Sequence, residues 1–171
     1  MKIFGIDPGY AIVGWGVIDY KNPAFTTLAY GAITTKAGVA PERRLQIIYE
    51  ELDRLLKMYK PDAVAVEELF FNTNQKTAIT VAEARGVIIL AAINNGVEIF
   101  EYTPLQVKQS VVGYGRAEKR QVIDMVQRIL HMSAPAKPDD ASDALAMAIC
   151  HARSVTSLLT KNGGNDECST I

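Results

Sequence analysis

Three separated segments of this sequence carry carboxylates where a folded core would begin or end. Asp7 closes the apolar run Lys2-Ile3-Phe4-Gly5-Ile6. Glu67 and Glu68 close Ala63-Val64-Ala65-Val66. Asp139, Asp140 and Asp143 open an alanine-rich stretch, Asp-Asp-Ala-Ser-Asp-Ala-Leu-Ala-Met-Ala. A carboxylate among buried neighbours is costly unless something compensates it. Divalent cations supply that compensation and create a reactive centre. Oxygen donors without histidine or cysteine suit magnesium or manganese better than zinc. The chemistry expected of such a cluster is metal-dependent phosphoryl transfer.

The elements that must position these acids follow from apolar periodicity and turn residues. Strands are expected at about residues 2–7, 11–20 and 25–35, with Pro8-Gly9 and Asn22-Pro23 as the turns of an antiparallel meander. Pro41 and Glu42 open a helix to about Tyr59, whose Leu45, Ile48, Leu52, Leu55, Leu56 and Tyr59 form one apolar stripe. Residues 62–67 are apolar on both faces, which predicts a central parallel strand. A long helix follows to about Asn94, apolar nearly all round at 87–93, either a core helix or a dimer interface. Then come a short strand at 97–102, a helix from Thr103-Pro104 to about Val112, a break at Gly113-Tyr114-Gly115, a helix at about 117–130 and a last helix from near Pro138. This order predicts an α/β fold with a mixed central sheet flanked by helices. Asp7 and Glu67 would lie at strand ends, where such sheets place their sites. Residues 1–154 form the expected domain, and the polar residues 155–171 an expected disordered tail.

Alternation sends Glu67 and Glu68 to opposite faces of their strand, so one of them serves the site, and periodicity does not choose between them. Asp140 and Asp143 share a helix face, but so do Asp139 and Asp143. Asp139, just after a proline, also suits an N-cap.

Bulk properties narrow the classes. The chain has 171 residues, 49% of them hydrophobic, enough for one full core. No apolar stretch is long enough for a membrane span, no signal peptide is expected, and the two cysteines, Cys150 and Cys168, match no zinc or CxxC spacing. A reducing cytoplasm is the expected location. The formal net charge of −1 hides a local bias: between Pro104 and Arg120 stand Lys108, Arg116, Lys119 and Arg120 against Glu118 alone.

Taken together, Gly5-Ile6-Asp7-Pro8-Gly9, Ala65-Val66-Glu67, the run from Val107-Lys108 through Gly113-Tyr114-Gly115-Arg116-Ala117-Glu118-Lys119, and Asp140-Ala141-Ser142-Asp143-Ala144-Leu145 closely resemble the RuvC family of Holliday-junction resolvases. The resemblance runs over about residues 2–153. It implies a ribonuclease-H-like fold, a homodimer, and paired nicks in four-way junction DNA. It selects Asp7, Glu67, Asp140 and Asp143 as catalytic acids holding two magnesium ions per subunit, with manganese as a substitute. Lys108 and Lys119 match the family's basic catalytic positions. Gly113, Gly115 and Arg116 fall in its DNA-binding stretch, and Phe70 matches its base-stacking aromatic, although Phe71 adjoins it. The family also implies a branch-migration motor complex as partner. Arg85 and Lys76 can be read as DNA contacts or as ordinary helix surface, and His131 and His151 as surface and helix residues. A nuclease of the same fold acting on RNA, and a sugar-kinase or actin-like ATPase sharing the first glycine motif, are the competing classes. The second needs a further related half to close over a nucleotide.

Overall fold

The computed structural model describes residues 1–68 and 75–162. Strands β1 (Lys2–Asp7), β2 (Ile12–Lys21) and β3 (Ala24–Thr34) form the antiparallel meander. Helix α1 (Pro41–Tyr59) returns the chain to β4 (Ala63–Glu67), and α2 (Gln75–Asn94) to β5 (Glu98–Tyr102). Helices α3 (Pro104–Val112), α4 (Lys119–Ile129) and α5 (Asp139–Asn162) follow. Among the described residues the sheet order is β3-β2-β1-β4-β5, with β4 parallel to both β1 and β5. The mixed sheet and the central place of β4 are as the sequence predicts. None of the described helices is long and apolar enough to cross a membrane.

Strand alternation divides the core into two layers. Phe4, Ile6, Val64 and Val66 pack with Ile48, Leu52, Leu56 and Ile88 on the side of α1 and α2. Ile3, Ile18 and Ala65 pack with Val107, Val122, Leu145 and Ile149 on the side of α3, α4 and α5. Helix α1 begins on Pro41 and ends where Lys60 turns left-handed, its N–H donating to Leu56 O at 2.8 Å. Helix α2 is apolar on both sides, as the sequence predicts. Ala84, Ile88, Ala91 and Ala92 are buried, while Ile79, Leu90 and Ile93 stand exposed on the opposite side.

Two boundaries differ from the sequence reading. Helix α4 starts at Lys119, because Glu118 precedes it as a cap: its backbone N–H donates to Gln121 Oε1 at 2.8 Å. Helix α5 runs past residue 154 to Asn162, so 155–162 is helix where a disordered tail was expected. The reason is tertiary. Thr156 Oγ1 lies 2.9 Å from the Tyr20 hydroxyl of β2, and Tyr20 stacks on Phe25 of β3. Residues 163–171 lie outside the described residues.

Candidate active site

β1 and β4 are parallel neighbours paired at Ile6–Val66, so Asp7 and Glu67 end them side by side. Parity puts both on the face of Ile3, Gly5 and Ala65, which is the face α5 covers. Glu68 takes the other parity and is exposed, its backbone N–H donating to Tyr102 O.

Glycine lets α5 reach this face. A Cβ added at Gly5 would stand 1.9 Å from Ala144 O, and one at Gly14 would stand 2.0 Å from Asp140 O. Gly14 is the β2 partner of Asp7. The first turn of α5 therefore lies directly over the strand beside Asp7, carrying Asp140 and Asp143 one helical step apart. The expected N-cap role of Asp139 does not hold. It is the first residue of the helix proper, and its carboxylate pairs with Lys137 at 2.7 Å, out towards solvent.

The electrostatics bind the cluster into one unit. The Asp7 carboxyl is pushed up to about 8, first by burial, then by the charges of Asp143, Glu67 and Asp140, with Lys119 opposing them. Glu67 is raised by burial and by Asp143, against the pull of Lys119 and Lys108. Lys119, the first residue of α4, donates to Asp143 Oδ2 at 2.8 Å, and that bond holds its own ammonium charged. Glu67, Asp143, Lys108 and Lys119 line one cleft of about 260 Å³, walled by Pro104, Val107, Val122 and Met147.

Among the described residues no three acidic, histidine or cysteine side chains converge into a ready-made metal cage. Asp143 is turned to Lys119. The donor set nevertheless fits a hard divalent cation. It consists of carboxylate oxygens alone, and burial together with the neighbouring acids raises one member, Asp7, to about 8.

The other expected residues divide. Gly113 caps α3 at φ 97°, and Gly115 lies beneath Leu105. Arg116 is exposed on the same turn. Arg85 of α2 is tied to Glu101 of β5 at 2.6 Å and is largely buried by that pairing. His151 is buried and hydrogen-bonded to the Tyr102 hydroxyl at 2.8 Å, so it joins α5 to β5. Phe70 and Phe71 lie outside the described residues, as does the side chain of Lys76. The sequence reading passed over Gly5 and Gly14 as positioning residues. Their signal was present, since an interior strand glycine often marks close backbone approach.

A family model described as crossover junction endodeoxyribonuclease RuvC matches residues 3–151. The crossover junction endodeoxyribonuclease RuvC of Caldanaerobacter subterraneus subsp. tengcongensis is 57% identical over 154 residues, 90% of this chain and 93% of that protein. That of Alkaliphilus oremlandii is 60% identical over 152 residues, 89% and 93% of the two chains. Among solved structures, Thermus thermophilus RuvC in complex with Holliday junction substrate superposes with a TM-score of 0.88 at 35% identity, covering 92% of this chain and 96% of that one.

Proposed function

The chain belongs to the RuvC family of crossover junction endodeoxyribonucleases, and we propose that it makes paired, symmetric nicks in four-way DNA junctions by metal-assisted hydrolysis. It is a Holliday-junction resolvase with a ribonuclease-H-like fold. One observation carries the finer reading: acids from three distant segments are brought to one end of the sheet, where burial and the neighbouring acids hold Asp7 up to about 8.

Asp7, Glu67, Asp140 and Asp143 would hold two magnesium ions per subunit, with manganese as a substitute. When bound, such ions supply Lewis-acid polarisation of the phosphodiester and a more acidic water. The protein's own groups do the rest. Lys108 and Lys119 face the same cleft and bring positive charge to the scissile phosphate. The apolar wall of Pro104, Val107, Val122 and Met147 narrows the cleft and limits water. The fixed turn of α5 over Gly14 orients Asp140 relative to Asp7. Phe70 remains the proposed base-stacking aromatic, with Gly113, Gly115 and Arg116 on the DNA path.

Paired cutting requires two sites related by a two-fold axis. The exposed stripe of Ile79, Leu90 and Ile93 on α2 supports a homodimer through that helix. We place the enzyme in the cytoplasm, working with a branch-migration motor.

The test is a synthetic four-way junction incubated with the protein in magnesium or in chelator. Symmetric nicks should appear with magnesium alone, and Asp7→Asn, Glu67→Gln, Asp140→Asn and Asp143→Asn should each bind the junction without cutting it. Normal turnover by any of the four removes that residue from the site. A monomer in sedimentation of the parent protein, alone and on the junction, removes the symmetric mechanism.

A further inference from the structure

The turn between α3 and α4 presents an aromatic ring that the active site does not use. Tyr114 is 46% exposed, and Leu105, whose side chain lies on the neighbouring Gly115, is 58% exposed. The turn is pinned at both ends. Gly113 N–H donates to Gln109 O at 3.0 Å, and Glu118 is fixed to Gln121 at the start of α4. A single exposed tyrosine is ordinary on a protein surface. This one is not isolated, because the next residue, Gly115, packs under Leu105, which follows the cleft-lining Pro104. Pro104 and Lys108 of α3 and Lys119 of α4 line that cleft. Arg116 and Arg120 are exposed alongside, and Glu118 is the lone acid between Pro104 and Arg120.

An apolar ridge set in a basic rim matches one kind of ligand: a polyanion whose charged backbone alternates with flat apolar rings. We propose that Tyr114, supported by Leu105, is a stacking platform for a nucleotide of the strand that flanks the cut. The inference rests on the resolvase reading and extends it to a residue outside the cleft. Because the turn is held before DNA arrives, little ordering of the protein accompanies binding, and the contact adds to affinity. Stacking neutralises no phosphate, so Tyr114 contributes to binding without contributing to its salt dependence.

The experiment measures anisotropy of a labelled four-way junction titrated with the full chain in chelator, at several salt concentrations. The parent protein is also assayed for cutting in magnesium. Tyr114→Ala should weaken binding about tenfold, equivalent to 1.4 kcal/mol and within the range for loss of one base stack. The slope of log affinity against log salt should stay that of the parent. Tyr114→Phe should bind like the parent, since the ring and not the hydroxyl makes the contact. Tyr30→Ala, which removes a similarly exposed ring on β3, is the surface control and should bind normally. The proposal is overturned if Tyr114→Ala binds within twofold of the parent, if Tyr114→Phe is as weak as the alanine variant, or if the slope becomes shallower. A change of oligomeric state in Tyr114→Ala would make this ridge a contact between copies and equally overturn it. Failure of the parent to bind or cut the junction is a separate result, and it strikes the resolvase reading instead.

Discussion

Replacing Gly14 with alanine should switch off cleavage while leaving the protein folded. The added Cβ would sit 2.0 Å from Asp140 O, 2.4 Å from its carbonyl carbon and 2.9 Å from its own Cβ. Real contacts of this kind stay above 3.0 Å. Either β2 or the first turn of α5 must therefore give by about 1 Å, a misplacement that costs on the order of 10²-fold in rate when reacting groups are involved. The overpacking itself costs roughly 1–3 kcal/mol. Stability and geometry are separated by a control in the opposite layer. Ile48 is fully buried against α2 and the far face of the sheet, and Ile48→Val should cost about 1 kcal/mol without touching the site. Urea unfolding and single-turnover cleavage of a four-way junction are the measurements. Gly14→Ala should bind the junction within a few-fold of the parent, because the basic rim lies on α3 and α4, and cut it about a hundred times more slowly. Ile48→Val should unfold earlier and cut at the parent's rate. If Gly14→Ala cuts within threefold of the parent, the close approach of α5 to β2 is not what places Asp140, and the reasoning fails.

Two further outcomes follow from the charges. With its carboxyl near 8 in the folded chain against 3.8 for the free group, Asp7 binds more protons folded than unfolded between those values. Metal-free stability must then fall as pH rises across that window, and Asp7→Asn should relieve on the order of 4 kcal/mol at pH 7 and little at pH 4. Urea unfolding in chelator at both values checks this, and a pH-independent gain would refute it. Lys108→Ala should make the salt slope of junction binding shallower by about 1. Lys119→Ala should change that slope less and the single-turnover rate more, since Lys119 is already paired with Asp143. Equal effects on slope from both variants would show that the Asp143 pairing does not hold Lys119 back from the DNA.

What the sequence revealed and what it withheld divide along physical lines. Helix α1 was legible to the residue because Pro41 starts it, Lys60-Pro61 stops it, and Ile48, Leu52, Leu55 and Leu56 keep one period throughout. The ends of β1 and β4 were legible from their apolar runs, and these ends place Asp7 and Glu67. The choice of Glu67 over Glu68 was not legible from alternation, because alternation says that the two differ in face but not which face α5 will cover. Asp139 was misread for a related reason. A proline followed by an acid suits a cap, but the pairing with Lys137 draws that carboxylate away from the cluster. The extension of α5 to Asn162 depends on a contact between Thr156 and Tyr20, 136 residues apart, that local composition does not record.

The deeper gap concerns distance rather than identity. Periodicity tells which side of an element is buried, yet a site of this kind depends on how closely two elements approach. Here that distance is set by missing side chains. Gly5 and Gly14 remove the atoms that would otherwise separate α5 from the sheet, and Ala144 offers only a small side chain in return. With the helix so close, the charges of Asp143 and Asp140 reach Asp7 and that of Asp143 reaches Glu67, adding to burial in raising both strand-end carboxyls. Lys119, with Lys108 acting on Glu67, offsets only part of that rise. The stability lost to this crowding and the affinity for divalent cations therefore have one origin. A substitution that relaxes the crowding should strengthen the metal-free fold and weaken the site by the same change.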